Sequence, residues 1–371
     1  MEFSYWEHRT WFSDIDFTVV GSGIVGINCA LRLKERFPNA KVVVLEKGIL
    51  PQGASTKNAG FACFGSISEI LADLASHSEQ EVVQLVKHRL DGIQLLRRTL
   101  GDDQIGYQKR GGHELFLEHE KEKFYHCLSK LSSINALFAP IFRQAPFTLH
   151  ENSFNFKGIH NQYITHQFEG QLDTGKMMDS LLHLALKKGV KVLNGMEVIS
   201  FEDFGGSVIL KIGGLELKTH KLFVATNGFA QNLLDEDVSP ARAQVVITKP
   251  IDNLHIKGTF HFDEGYFYFR NIDDRVLFGG GRNLDFDGER TQEFGQTAVI
   301  QSTLERLLRE VILPQTSFEI EHRWSGIMGV GHQKKPVVKQ LSNSTFCGVR
   351  LGGMGIAIGT AVGVQLADLI E

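Results

Sequence analysis

The sequence predicts an α/β protein, with one domain on a parallel sheet and a second, α+β domain on a mixed or antiparallel sheet. Three observations carry this. A β-α-β unit occupies residues 16–46. The middle of the chain mixes helical and alternating strand patterns. The C-terminal region then returns to a glycine-rich α/β pattern. At 371 residues the chain exceeds one compact core and fits two domains.

The elements follow in order. Residues 16–20 (DFTVV) form a short apolar strand, and GSGIVG follows at 21–26. Residues 24–36 read as a helix with Ile24, Ile27, Ala30, Leu31 and Leu33 on its apolar side; Pro38 ends it. KVVVL at 41–45 is a second buried strand ending at Glu46. Helices are expected at 79–100, 119–135, 174–188 and 296–310, and a last one from Gly355. A strand pair is expected at 107–118 around Gly111 and Gly112, and strands at 189–193, 196–225 and 317–323. Residues 265–281 read as a hairpin: GYFYFR, the turn NIDD, then RVLFGGG. This order places the first domain on 1–85, 160–245 and 322–371, and the second on 86–159 and 246–321.

Composition narrows the function. Hydrophobic residues make up 42% and charged residues 22%, as in ordinary soluble proteins. A net charge of −4 argues against a nucleic-acid partner, which needs a basic face. Cys29, Cys63, Cys127 and Cys347 show no CxxC spacing and read as reduced thiols of a cytoplasmic protein. The start MEFSYWEHRTWFSD lacks the apolar run of a signal peptide. Residues 351–370 carry five glycines plus Gln365 and Asp368, so no membrane span is expected there. None of the 15 histidines has zinc-ligand spacing, and no metal site is expected.

The chemistry begins at Gly21-x-Gly23-x-x-Gly26. Gly21 permits a tight turn, Gly23 a close backbone approach to a diphosphate, and Gly26 the packing of helix on sheet. The diphosphate would rest on the helix N-terminus. Glu46, at the end of the next strand, is placed to accept ribose hydroxyls. The pattern predicts a Rossmann-like dinucleotide site without choosing between FAD and NAD. Three later segments choose: GASTKNAG at 53–60, LFVATNGFA at 222–230, and LGGMGIAIGTAVG at 351–363.

With these motifs in this order, the sequence resembles the family of FAD-dependent amine and D-amino-acid oxidoreductases. Glycine oxidase, sarcosine oxidase and γ-glutamylputrescine oxidase are members. The resemblance covers nearly the whole chain. It implies that the first turn, Glu46 and Lys47 hold the ADP half of FAD. It implies that Ser55, Thr56, Asn58 and Gly60 wrap the pyrophosphate and flavin. Val198 would meet the adenine through its backbone, and Ala225, Thr226, Asn227 and Gly228 would line the cofactor. Gly352, Gly353, Met354, Gly355 and Ile356 would pack on the flavin, with the helix N-terminus stabilising a reduced, anionic ring. Sarcosine oxidase attaches flavin through a cysteine near the position of Trp324; none lies there, so non-covalent FAD is expected.

Substrate groups are sought as positioners, because hydride transfer needs an aligned C–H bond and an unprotonated amine. On 265–270 the period of two puts Tyr266, Tyr268 and Arg270 on one face and Phe267 and Phe269 on the other. A substrate tyrosine of glycine oxidase falls where Tyr266 does. Arg270, beside the expected turn, reads as a solvated residue. Trp324 and Pro336 keep family spacing, but Met328 stands where glycine oxidase has a carboxylate-binding arginine. Met354 likewise stands where histidine is frequent, and Arg350, Arg282 and His332 are the available replacements.

The expected activity is oxidation of a C–N bond in a small amine or amino acid by hydride transfer to flavin N5. Tyr266, Tyr268 and Met328 are its substrate-side candidates. Three readings stand beside it: oxidation of a 2-hydroxy acid or other C–OH group, an NAD-dependent dehydrogenase, and a flavin-bearing subunit without turnover. The sequence leaves open whether oxygen or a quinone accepts the electrons.

Overall fold

A computed structural model describes residues 2–370. Met1 and Glu371, the outer ends of the expected first domain, lie outside the described residues. Among the described residues, two eight-stranded sheets and a two-stranded ribbon organise the fold.

The first sheet is built on strand β1 (Ile15–Val20) and strand β2 (Val42–Glu46), joined by helix α1 (Ile24–Arg36). Both strands are almost continuously buried and apolar, as a parallel strand covered on two faces requires. β1 pairs in parallel with β2 on one side and with Leu215–Val224 on the other. Thr345–Val349 and Lys191–Asn194 extend the parallel set outward. Val337–Gln340 and the Ser200–Asp203/Val208–Ile212 pair add antiparallel strands. The strands from opposite ends of the sequence thus meet in one layer.

The C-terminal helix Gly355–Asp368 lies across α1 and the long helix Glu79–Leu100. Glycines permit both crossings. A Cβ on Gly363 would stand 2.5 Å from the Val25 carbonyl, and one on Gly92 would collide with the Ala357 carbonyl. The helix Glu79–Leu100 starts on a capping box formed by Ser78 and Glu81.

The second sheet runs Ile320–Val330, Ser239–Thr248, Arg275–Gly280, Phe267–Ile272, Thr259–Phe262, Gly112–Glu114, Gln162–His166, Phe147–Glu151. It is mixed: Thr259–Phe262 runs parallel to Gly112–Glu114, and its other pairs are antiparallel. One face carries Phe260, Phe262, Phe267, Phe269 and Phe278, buried with Ile300, Leu304 and Leu308 of the region Ala298–Ile312. The other face packs Val245, Leu277 and Tyr268 with Ala59 and Phe61.

Several expected elements differ in detail. The segment 107–118 forms one strand, Gly112–Glu114, whose partners are distant, because Gln162–His166 and Thr259–Phe262 flank it. The turn of the 265–281 hairpin is two residues long: Ile272 pairs with Arg275, and Asp273 and Asp274 take φ of 45° and 56°. Two positive φ values match the twist of a tight hairpin. The strand expected at 317–323 runs to Val330, carrying Met328 into the site. Strand Gln162–His166 and the strand Ser239–Thr248, which spans the expected boundary at 245/246, both pair within the second sheet. Among the described residues no helix is long and apolar enough to cross a membrane.

Candidate active site

A cleft of about 400 Å³ runs along the C-terminal ends of β1 and β2 and continues beneath the second sheet. Its position follows from topology. Parallel strands deliver their loops to one edge, where the helix N-termini also point.

At the first turn Gly21 has φ of 103°, open to glycine. α1 begins on Gly23 without a side-chain cap, leaving backbone N–H groups toward the cleft. Ser55 crosses this turn, its Oγ accepting from Ile24 N at 2.9 Å. Glu46 is 5% exposed and fully engaged. One carboxylate oxygen accepts from Ser22 N and Oγ (3.1 and 2.8 Å), the other from Gly48 N and Gln52 N (3.0 and 3.3 Å). The residue expected to bind ribose therefore also braces the glycine turn. Lys47 lines the cleft, its ammonium 3.6 Å from the centre of the Phe229 ring.

Three loops meet at the other end. Asn227, at φ 44°, accepts from Leu351 N at 3.2 Å and links the Thr-Asn-Gly turn to the final glycine turn. Gly352 N donates to Gly329 O at 3.0 Å, tying that turn to the strand of Met328. Asn58 accepts from Gly60 N (2.8 Å) and Thr174 Oγ1 (2.9 Å), which shapes the end of the GASTKNAG loop.

Most of the expected cofactor residues line this cleft: Gly21, Gly23, Glu46, Lys47, Ser55, Asn58, Gly60, Val198, Ala225, Thr226, Asn227 and Gly352 to Ile356. Gly26, Thr56 and Gly228 do not. A Cβ on Gly26 would strike the Gly21 carbonyl, so its task is the contact of helix on sheet. The Thr56 hydroxyl turns inward to Pro51 O at 2.8 Å. Gly228 lies against Met328 O, where a Cβ would come within 2.6 Å.

Tyr266, Tyr268 and Met328 also line the cleft. Burial pushes the Tyr268 phenol up to about 12. Sequence reasoning missed Cys63, Glu69, Glu169 and His261, which share this wall. Glu169 is 2% exposed and accepts from Phe64 N (2.6 Å) and Gly65 N (3.1 Å). Burial raises it to about 7, partly offset by those two N–H groups and His261. Glu114, bound by Ser68, is also raised by burial. These residues come from four segments far apart in sequence, so no local motif signals them.

The proposed replacements for the missing arginine separate clearly. Arg350 is bound to Asp237, with Nη1 to Oδ2 at 2.5 Å, and to the Lys335 carbonyl. His332 joins the same carboxylate at 2.8 Å with its side chain 95% exposed. Neither lines the cleft, whereas Arg282 does, lying over Phe286 beside Tyr266. Arg270 corrects the expectation of a solvated residue: it is 3% exposed.

The fold and this cleft define an oxidoreductase built around a dinucleotide cofactor. A family model described as FAD dependent oxidoreductase matches residues 16–369, and the chain belongs to that family. It is 20% identical over 379 residues to a protein named probable oxidoreductase OrdL from Rhizobium meliloti, covering 95% of this chain and 82% of that protein. Glycine oxidase from Geobacillus kaustophilus shares the fold at 20% identity and a TM-score of 0.74, covering 95% of this chain and 94% of that chain. Iminodiacetate oxidase from Chelativorans sp. BNC1 does so at 18% and 0.76, covering 95% of each chain. L-proline dehydrogenase from P. horikoshii does so at 17% and 0.73, covering 96% and 93%.

The residues present fit FAD. Thr226 Oγ1 is buried in the cleft wall without a protein partner. The α1 N-terminus has no cap from its own N-cap residue, Ser55 taking only Ile24 N, and Gly352 and Gly353, with φ of 56° and 83°, line the same cleft. FAD supplies the two-electron acceptor for the reaction.

Proposed function

We propose that this flavoenzyme oxidises the C–N bond of an amine or amino acid by hydride transfer to flavin N5, with FAD held non-covalently. The observation that carries this reading is the chemistry of the substrate wall. Buried Glu169 stands there with the partly buried Tyr268 and His261, and Glu69 lies alongside. A carboxylate favours a cationic amine and then receives its proton, as the neutral amine is the form that gives up hydride. Met328 cannot neutralise a substrate carboxylate, and Arg350 is already paired. Arg282 with Tyr266 and the half-exposed Phe286 forms the outer rim. There it orients the polar or anionic end of an extended substrate. A 2-hydroxy acid offers no cation to the buried wall, which disfavours the C–OH reading.

Non-covalent binding is supported by the state of the thiols. Cys63 lines the cleft, but burial raises its pKa well above the thiol range, which suppresses the nucleophilic thiolate. Acid precipitation should release all yellow colour to the supernatant; colour in the pellet contradicts this. The substrate reading is tested by anaerobic stopped-flow with amines, amino acids and 2-hydroxy acids. Extended or secondary amines should reduce the flavin faster than glycine or D-alanine, and 2-hydroxy acids should not reduce it. Fast reduction by a hydroxy acid would overturn the reading.

A further inference from the structure

Arg270 sits on the strand Phe267–Ile272, on the face shared with Tyr268 and two residues beyond it. It is 3% exposed, and its Nε is buried without any hydrogen-bond partner. Among the described residues it forms no salt bridge. Asp173 and Asp273 act on it through space, not by hydrogen bond, while burial lowers its pKa to about 10. Such a group is expensive to bury alone and persists where a charge is useful.

Its position relative to the cleft is specific. Gly60 lines the cleft at φ 73°, and a Cβ built there would come 3.3 Å from Arg270 Nη2. Gly60 is fixed in place, with N donating to Asn58 and O accepting from Leu172 N at 2.9 Å. The guanidinium is therefore not consumed by the loop it touches. Gly60 carries no side chain, so the guanidinium closely approaches the backbone of a residue that lines the cleft.

We propose that Arg270 is an electrostatic positioning residue whose unpaired guanidinium, acting across Gly60, favours the reduced cofactor. A substrate C–H bond yields a hydride, leaving the carbon as a cation. The hydride carries one proton and two electrons to the neutral flavin, which gains one net negative charge. A fixed cation behind the wall stabilises that charge, and a low-dielectric wall transmits it. The inference rests on the family's flavin and not on the nature of the substrate.

The test uses the FAD-loaded enzyme without substrate. Arg270→Met removes the charge at similar length, Arg270→Lys keeps it, and Thr259→Asp leaves the arginine but sets a carboxylate at the position paired with it. Midpoint potentials are read against reference dyes, together with the dissociation constant for sulfite, whose flavin adduct is also anionic. Arg270→Met and Thr259→Asp should each disfavour the reduced form at least tenfold, a fall of about 30 mV for a two-electron couple. Sulfite should bind at least tenfold more weakly to both, while Arg270→Lys stays within threefold of wild type. Should Arg270→Met fail to fold, Thr259→Asp carries the same expectation. Fully loaded variants with wild-type potential and sulfite affinity would overturn the proposal and make Arg270 purely structural.

Discussion

Glu46 shows how one side chain serves two tasks. Its carboxylate holds Ser22, Gly48 and Gln52 while lining the cleft. Glu46→Ala should weaken FAD binding by at least tenfold and also cost the apoprotein about 1–3 kcal/mol, as buried N–H groups lose an acceptor. Calorimetric titration of apoprotein with FAD, and its unfolding curve, check both. A loss of affinity with unchanged apoprotein stability would mean that the brace is dispensable. Glu169 adds a pH dependence. Its folded pKa of about 7 lies above the ordinary 4.5, so the folded state holds the proton more tightly. Its contribution to stability is fully present below about 4.5 and is lost as pH rises to about 7. Glu169→Gln should therefore gain stability over wild type at pH 8 relative to pH 5, measured as melting temperature. Cationic substrates should bind wild type more tightly as pH rises through 7, and the variant should lose that response.

At the scale of elements, the C-terminal helix carries a turn that lines the cleft, and its place depends on two close crossings. Gly363→Ala forces a methyl toward the Val25 carbonyl and Asn28. Overpacking of this kind costs about 1–3 kcal/mol. The displaced helix should also loosen the turn Gly352–Ile356, seen as lower melting temperature and partial FAD loss. Strand Ile320–Val330 carries a second prediction. Met328 faces Gly353, where a Cβ would stand 3.6 Å from its sulfur. Met328→Arg should shift the flavin reduction rate toward small amino acids, since a guanidinium there supplies the missing carboxylate anchor. Unchanged preference would place the anchor at Arg282. These elements also show what was legible. The βαβ unit and the three glycine-rich segments were readable because their roles are local: turn, helix start, backbone approach. Glu169 and His261 were not, because long-range strand pairing assembles their wall. The turn beside Arg270 suggests solvent, whereas its place inside the sheet and beside Gly60 buries it.

At the scale of the whole molecule, the chain leaves the parallel sheet, builds the second one, and returns. Strand Thr345–Val349 beside Leu215–Val224 is the structural record of that return. The consequence is a cleft lined by turns from both ends of the chain and, along its other side, by His261, Tyr268 and Met328 of the second sheet. The central claim is that this joint cleft removes hydride from a carbon bearing nitrogen. A single-turnover count tests it most directly: the enzyme is mixed anaerobically with the best reducing amine, quenched, and assayed for reduced FAD and for products. The account predicts one imine per FAD reduced, which water converts to one carbonyl and one amine or ammonia when carbon and nitrogen are not joined in a ring. No reduction by any amine, or reduction without an imine or its hydrolysis products, would contradict it.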